Sequence, residues 1–149
     1  GTSQLDIFLD GDFDPATWAR QPYKRNPTPI NIPHYTAGGI IVRSKSEAMI
    51  GTRLEERKAI FRPEPEVRLK WRSLYPDFEA INIKRRKIMY LEHLGKIDDE
   101  NYVFRNLEKL QDYAECGITL GDNLFITYES QSKPLQIQDI DTVLDQMLG

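Results

Sequence analysis

Apolar residues recur from Gly38 onward with a spacing that predicts regular helices and strands. Ser44 and Glu47 form a capping box, which predicts that a first helix begins there. The apolar positions of this helix follow at helical spacing and are Ile50, Leu54 and Phe61. The helical pattern is ended by two prolines, Pro63 and Pro65.

Three strand patterns follow the first helix. Apolar and basic residues alternate over positions 67–71, where Val67, Leu69 and Trp71 are predicted to form the buried face of a strand. Residues 77–83 and 88–93 form two further strand patterns, and the basic run between them is predicted to be a hairpin turn. The three strands together predict an antiparallel meander.

The second half of the chain predicts a helix, a strand and a last helix. Asp98 or Asp99 caps the first of these helices, which ends at Gly117. Residues 124–128 are a short apolar run typical of a strand. The last helix has the apolar positions Ile140, Val143, Leu144, Met147 and Leu148. This order predicts an α/β fold with a mixed sheet covered on both faces, in which a crossover helix allows a parallel fourth strand.

The start of the chain differs from the rest. Residues 1–37 are predicted to be a proline-rich, irregular arm or linker, and residues 38–149 the folded domain. A short piece around Leu5 to Leu9 is the one part of the arm expected to be ordered. Prolines exclude helix interiors and central strands from most of this segment, and the five in it are Pro15, Pro22, Pro27, Pro29 and Pro33. The irregular start predicts a domain taken from a longer chain.

Composition restricts the classes of protein further. The 149 residues contain one cysteine, Cys116, which excludes an internal disulfide and fits a reducing, cytoplasmic location. No apolar run approaches the roughly 18 residues of a membrane span, so no membrane association is expected. The net charge of −3 excludes a generally cationic surface. A local basic run remains as a candidate for phosphate binding, and consists of Lys84, Arg85, Arg86 and Lys87.

Two acidic residues are the first candidates for chemistry. If the hairpin turn is centred between Lys84 and Arg85 with an even number of residues, Asp77 faces Glu92. Opposed Cβ atoms lie about 4.5–5.5 Å apart, so one carboxyl pKa rises unless a cation lies between them. Oxygen ligands of this kind suit Mg²⁺ or Mn²⁺. The alternative interpretation is two unrelated, solvated residues at strand ends.

The first helix adds further candidates. Glu47 shares a helical stripe with Ile50 and Leu54, which makes it a candidate third metal ligand, although it could simply complete the cap with Ser44. Arg43 and Lys45 flank the helix N-terminus, where the helix dipole disfavours cations. A nearby phosphate would account for both, and ordinary surface exposure is the alternative.

Glu47, Pro76-Asp77 and Glu92, in this order of elements, resemble the PD-(D/E)xK nuclease superfamily, and in particular an uncharacterised bacterial branch. The resemblance covers residues 38–148 and implies a restriction-endonuclease-like αβββαβ core. It also implies a metal-dependent endonuclease acting on nucleic acid, with DNA as the expected partner, and leaves a homodimer open. Asp77, Glu92 and Glu47 would bind Mg²⁺ or Mn²⁺. His93 would offer its backbone carbonyl to the metal, while its side chain is expected on the face opposite Glu92.

One position departs from the family pattern. The family lysine is expected at position 94, where this sequence has Leu94. Lys109 in the following helix is the first candidate to replace it, and Lys96 is the second. The departure also supports two alternatives, an inactive nuclease-like domain that binds nucleic acid or a protein partner, and a purely structural module.

Overall fold

The computed structural model describes residues 13–149, so the piece around Leu5 to Leu9 lies outside the described part of the chain. The elements in chain order are α1 (Pro15–Arg20), β1 (His34–Tyr35), β2 (Ile41–Val42), α2 (Lys45–Glu56), β3 (Phe61–Pro63), β4 (Val67–Arg68), β5 (Ser73–Leu74), β6 (Phe78–Asn82), β7 (Lys87–Leu94), α3 (Glu100–Glu115), β8 (Leu124–Tyr128) and α4 (Ile137–Leu148).

A four-stranded mixed sheet is the centre of the fold, with the strand order β3-β6-β7-β8. The pairs β3–β6 and β6–β7 are antiparallel, and β7–β8 is parallel. The parallel pair follows from the connection through α3, because a helix crossover returns the chain to the end of the sheet at which β7 began. The predicted mixed sheet with flanking helices and a parallel fourth strand is therefore confirmed.

The β6–β7 hairpin has the predicted register. Asn82 pairs with Lys87 at one end of the ladder and Phe78 with Leu91 at the other. The turn is therefore the four residues 83–86, centred between Lys84 and Arg85, and Arg86 adopts a positive φ of 52° within it. An even turn keeps the alternation of the two strands in phase, which brings Asp77 and Glu92 to the same face.

Each face of the sheet packs against its own layer. Helices α2 and α4 cover one face through an apolar cluster that includes Ile50, Leu54, Phe78, Met89, Leu91, Ile140 and Leu144. The other face packs against α3 and the β4–β5 hairpin through a second cluster that includes Val67, Leu74, Tyr90, Tyr113 and Leu124. Because both faces are covered, every residue of Phe78–Asn82 is buried.

The predicted end of the first helix is wrong. Helix α2 ends at Glu56, and Phe61 lies in the edge strand β3. The Lys58 N–H donates to the Glu55 carbonyl and the Ala59 N–H to the Leu54 carbonyl, at 2.9 Å and 3.0 Å. Lys58 has a φ of 55°, which completes a Schellman ending without glycine. The usual sequence signal for this ending, a glycine, is therefore missing.

The predicted strand over 67–71 is also largely wrong. Strand β4 ends at Arg68 and pairs only with β5, outside the main sheet. The Leu69 N–H donates to the Arg72 carbonyl at 2.8 Å, which closes a turn across residues 69–72. Trp71 is 64% exposed instead of buried. The first strand of the main sheet is β3, so the predicted order of elements holds with this hairpin inserted.

The described part of the arm packs along the domain. The Tyr23 hydroxyl donates to the Pro63 carbonyl at 2.7 Å, and Arg25 forms an isolated bridge with Pro65. His34 of β1 pairs with Val42 of β2, across the boundary predicted near residue 37. Among residues 13–149, no helix combines the length and the apolar character that a membrane crossing requires.

Candidate active site

Two carboxylates lie side by side where β6 begins and β7 approaches its end. The register that pairs Phe78 with Leu91 places Asp77 and Glu92 at the next opposed positions. Glu92 is buried and Asp77 is partly exposed. Both side chains are directed to the sheet face that packs against α3, where Glu92 contacts Tyr113 and Lys109. The hairpin parity predicts that the two residues share one face.

Asp77 is fixed by a backbone hydrogen bond from the neighbouring strand. Its Oδ2 atom accepts from the His93 N–H at 2.6 Å. Desolvation raises the pKa of the Asp77 carboxyl well above its usual value, and the charges of Glu92 and Glu47 raise it further. Asp77 therefore lies in an environment that favours a neutral carboxyl unless a cation is bound nearby.

Glu92 has two partners on helix α3. The Tyr113 hydroxyl donates to its Oε1 atom at 2.7 Å, and the Lys109 Nζ atom lies 3.6 Å from its Oε2 atom. Burial raises the pKa of the Glu92 carboxyl, although Lys109 and Tyr113 both act to lower it. Tyr113 and Lys109 are one helical turn apart, so α3 presents both groups to the same carboxylate.

Glu47 belongs to the N-terminal cap of α2 and also lines the cleft. The Ser44 Oγ atom accepts from the Glu47 N–H at 3.1 Å, as the capping box predicts. The Glu47 carboxylate accepts from the Ser44 hydroxyl at 3.1 Å and from the Arg43 N–H at 3.4 Å. Desolvation raises the pKa of this carboxyl. Glu47 also lines the cleft that contains Asp77 and Glu92, so the cap and the candidate site share this residue.

His93 connects the carboxylate pair to the opposite face of the sheet. Its ring nitrogens lie 2.7 Å from the Thr127 Oγ1 atom and 2.7 Å from the Glu129 Oε1 atom. The imidazole is thereby held by β8 and by the segment after it, away from Glu92. This agrees with the expectation that the side chain faces away from Glu92. The His93 backbone N–H donates to Asp77, and the role of its carbonyl as a metal ligand stays a prediction.

A cleft of about 740 Å³ lies over the two carboxylates. Its residues come from the end of the sheet, the β4–β5 hairpin and one side of α3, and are Glu47, Trp71, Arg72, Asp77, Glu92, His93, Tyr102, Arg105, Asn106, Glu108, Lys109, Gln111 and Asp112. Lys109, the first candidate for the missing lysine, is among them. Lys96 is exposed in the turn after β7 and does not line this cleft, and Leu94 is buried.

The carboxylates form a pair, not a preformed cage. Among residues 13–149, no group of three or more His, Cys, Asp or Glu side chains is arranged to hold a metal ion. Mg²⁺, however, is commonly bound by one or two carboxylates, with water and substrate phosphate as its other ligands. Asp77 and Glu92, with raised pKa values and acidic neighbours, fit this mode of binding.

The predicted phosphate-binding residues are not gathered at the cleft. The basic run at 84–87 is at the turn end of the hairpin, five residues along β7 from Glu92, which is about 17 Å at the usual rise per residue. Arg85 and Lys87 both contact Asp122 there, at 3.2 Å and 2.9 Å. A role of this run in binding nucleic acid stays a prediction.

The two basic residues beside α2 differ from each other. The Arg43 guanidinium contacts the Glu64 carboxylate at 2.5 Å and donates to the Thr28 carbonyl at 2.7 Å, whereas Lys45 is exposed. Glu64 is 3% exposed and also binds Arg25 at 2.7 Å. Arg43 therefore lies in an internal ion-pair cluster.

Several residues of the site are not predicted from the sequence. Tyr113 contacts Glu92 without lining the cleft, and its sequence signal is that it continues the spacing of Arg105 and Lys109 on α3. The alternating pattern predicts Trp71 on a buried strand face. No pattern in the sequence predicts Tyr102 as a site residue; its hydroxyl accepts from the Gly95 N–H at 3.0 Å. These residues reach the site through contacts between elements that are distant in the sequence.

Comparisons of the chain with protein-family models, with curated proteins and with solved structures found no match. The resemblance to the PD-(D/E)xK superfamily therefore stays a prediction. What the fold and the site define is a mixed α/β domain with a polar cleft over two opposed carboxylates.

Proposed function

We propose that this protein is a divalent-metal-dependent nuclease that hydrolyses phosphodiester bonds in nucleic acid, with DNA as the expected substrate. The observation that carries the proposal is the opposition of Asp77 and Glu92 in one cleft, with the Lys109 ammonium 3.6 Å from Glu92. The order of elements, with Glu47 on the first helix of the core, supports a restriction-endonuclease-like domain.

Asp77 and Glu92 would hold one Mg²⁺ or Mn²⁺ ion between them. Hydrogen bonds from the His93 N–H and the Tyr113 hydroxyl fix one oxygen of each carboxylate. Asp77 thus keeps its Oδ1 atom for a cation, whereas the Oε2 atom of Glu92 would be shared between the cation and Lys109, whose Nζ atom lies 3.6 Å away. When bound, such an ion lowers the pKa of a water molecule and neutralises charge on the phosphate.

Lys109 is the residue proposed to assist the reaction itself. Hydrolysis forms a bond from a water oxygen to phosphorus and breaks one phosphorus–oxygen ester bond. The proton lost by the water passes through solvent to the leaving oxygen, and negative charge grows on the phosphate oxygens in the transition state. A fixed ammonium in the same cleft stabilises that charge and orients the water. Glu47 would serve as a third acidic group, which requires its carboxylate to exchange the Ser44 hydroxyl for the metal site.

The second candidate function is an inactive nuclease-like domain that binds nucleic acid or a protein partner. The buried Leu94 at the position of the family lysine favours it. Lys109 favours an active nuclease, because it supplies an ammonium beside Glu92 from helix α3. The two candidates differ in one measurable property, which is cleavage that depends on the carboxylates.

The test is hydrolysis of end-labelled single-stranded and double-stranded DNA and RNA by the full chain, with Mn²⁺ or Mg²⁺. Asp77→Asn keeps the size of the side chain and an acceptor for the His93 N–H, while it removes the charge. Glu115→Gln is the matched control, because Glu115 is exposed on α3 and does not line the cleft. We expect cleavage by the wild type and by Glu115→Gln, and its loss in Asp77→Asn. Equal activity in Asp77→Asn, or no activity with any metal and substrate, would refute the proposal.

A further inference from the structure

An exposed tryptophan, Trp71, lines the cleft. Trp71 is 64% exposed and lies in the turn that joins β4 to β5. The Leu69 N–H donates to the Arg72 carbonyl at 2.8 Å and closes this turn. Trp71 lines the same cleft as Asp77 and Glu92. The hairpin therefore brings a large aromatic ring into the cleft that contains the carboxylate pair, without burying it.

Arg72 anchors the turn that carries Trp71. The Arg72 guanidinium lies 4.9 Å from the centre of the Trp71 ring, and it forms an ion pair with Asp112 on α3. One contact is a cation–π interaction and the other joins the hairpin to the helix across the cleft. Arg72 thus links the turn that carries Trp71 to helix α3.

The charges of the cleft do not favour binding of a duplex through its phosphates alone. Five of the lining residues are carboxylates, namely Glu47, Asp77, Glu92, Glu108 and Asp112. Three are basic, namely Arg72, Arg105 and Lys109, and two of these have an acidic partner. Duplex binding depends mainly on neutralising many phosphates with Lys and Arg. A substrate for this cleft needs a second source of affinity that is independent of charge.

We infer that the cleft binds single-stranded nucleic acid by stacking one base on Trp71, with Arg105 beside the adjacent phosphate. Stacking on aromatic side chains accepts any base and supplies affinity where cations are few. A paired base in a duplex is already stacked on both faces and cannot present a face to Trp71. This inference rests on the proposed function, because the stacked base would position the neighbouring phosphodiester over Asp77 and Glu92.

The test is binding of a fluorescein-labelled 12-residue oligothymidylate to the full chain, measured by anisotropy in Ca²⁺ so that binding is separated from cleavage. Trp71→Ala is compared with Trp71→Phe, which keeps an aromatic ring. Tyr35→Ala is the matched control, because Tyr35 is 60% exposed and does not line the cleft. We expect Trp71→Ala to weaken binding by at least about fivefold, the lower end for loss of one base–aromatic stack. Trp71→Phe and Tyr35→Ala should remain within about twofold of the wild type.

A duplex of the same length provides the second arm, and we expect it to bind more weakly than the single strand and independently of Trp71. Single-strand binding that Trp71→Ala leaves unchanged would overturn the inference, and so would tighter binding of the duplex. No binding of either probe would overturn it as well. The proposed nuclease activity is judged separately, by the loss of cleavage in Asp77→Asn. The emission of Trp71 in a Trp18→Phe background gives an independent signal, because the chain contains two tryptophans and a stacked base should quench it.

Discussion

The Lys109 Nζ atom lies 3.6 Å from the Oε2 atom of Glu92, although the two residues belong to different elements, α3 and β7. The PD-(D/E)xK pattern expects a lysine two positions after the strand glutamate, on the same strand. Here that position is the buried Leu94. Because α3 packs on the sheet face to which Glu92 points, a lysine on this helix reaches the same carboxylate.

Lys109→Met should lower the rate of cleavage by about 10²- to 10³-fold, the usual cost of removing one group that stabilises transition-state charge. Binding of Mn²⁺ should be unchanged or tighter in the same variant, because removing a cation beside Glu92 strengthens the attraction of that carboxylate for another cation. Single-turnover cleavage and isothermal titration calorimetry with Mn²⁺ measure the two effects separately.

Lys96→Ala tests the competing assignment of the lysine. Lys96 does not line the cleft, so its removal should change the cleavage rate much less than Lys109→Met does. If Lys96→Ala lowers the cleavage rate more than Lys109→Met does, Lys96 is the lysine that assists the reaction. Weaker Mn²⁺ binding in Lys109→Met would instead indicate that Lys109 supports the structure of the site.

Asp77→Asn should abolish the stabilisation of the protein by divalent metal. A metal that binds only the folded state stabilises it by about 2.7 kcal/mol at a concentration one hundred times its dissociation constant. We expect Mn²⁺ to raise the melting temperature of the wild type and of Glu115→Gln, and to leave that of Asp77→Asn unchanged. In EDTA, Asp77→Asn should be at least as stable as the wild type, because it removes a carboxyl whose ionisation is disfavoured by desolvation and by the charges of Glu92 and Glu47. An equal Mn²⁺ effect in the variant would exclude Asp77 as a ligand.

The opposition of Asp77 and Glu92 could be predicted because it depends on local rules. An even turn centred between Lys84 and Arg85 keeps side-chain alternation in phase, and the structure has that turn. The end of α2 could not be predicted, since Lys58 takes a positive φ that normally selects glycine. Phe61 was consequently assigned to the helix instead of to β3.

The cleft could be predicted only in part. Spacing and the family pattern together predict four of its residues, and all four line the cleft: Glu47, Asp77, Glu92 and Lys109. The prediction that Trp71 is buried in a strand is wrong, because alternation of apolar and basic residues is equally compatible with a strand and with an exposed turn. Its exposure depends on the Leu69–Arg72 turn and on the contact of Arg72 with α3. Such contacts join elements that are distant in sequence and leave no local periodicity.

The stability of the metal-free protein should decrease as the pH rises from about 5 to 8. The pKa values of Asp77, Glu92 and Glu47 are raised in the folded state above their ordinary values of 3.8, 4.5 and 4.5. Groups with raised pKa values bind protons more tightly when folded, so their contribution is present at low pH and is lost as the pH rises through the raised values. Urea unfolding in EDTA at pH 5 and pH 8 measures this difference.

Asp77→Asn isolates the part of this pH dependence that belongs to the site. The variant lacks a carboxyl whose pKa is raised well above its usual value by desolvation and by its acidic neighbours, so its loss of stability between pH 5 and 8 should be smaller. Identical pH dependence in the two proteins would show that Asp77 has no raised pKa in solution. A saturating concentration of Mn²⁺ should also reduce the wild-type dependence, since a bound cation favours the ionised carboxylates.

Arg43→Ala should lower the free energy of unfolding by about 2 kcal/mol, the range for losing a hydrogen bond to a charged group. Arg43 contacts the Glu64 carboxylate at 2.5 Å and the Thr28 carbonyl at 2.7 Å, and Glu64 is only 3% exposed. Removing this guanidinium leaves the buried Glu64 with Arg25 as its remaining ion-pair partner within residues 13–149. Lys45→Ala should leave stability unchanged, because Lys45 is exposed. Urea unfolding and oligonucleotide anisotropy, measured on both variants, separate the structural from the phosphate-binding role. If Arg43→Ala weakens binding of DNA while its unfolding free energy stays at the wild-type value, Arg43 contacts phosphate and the internal cluster is not its main role.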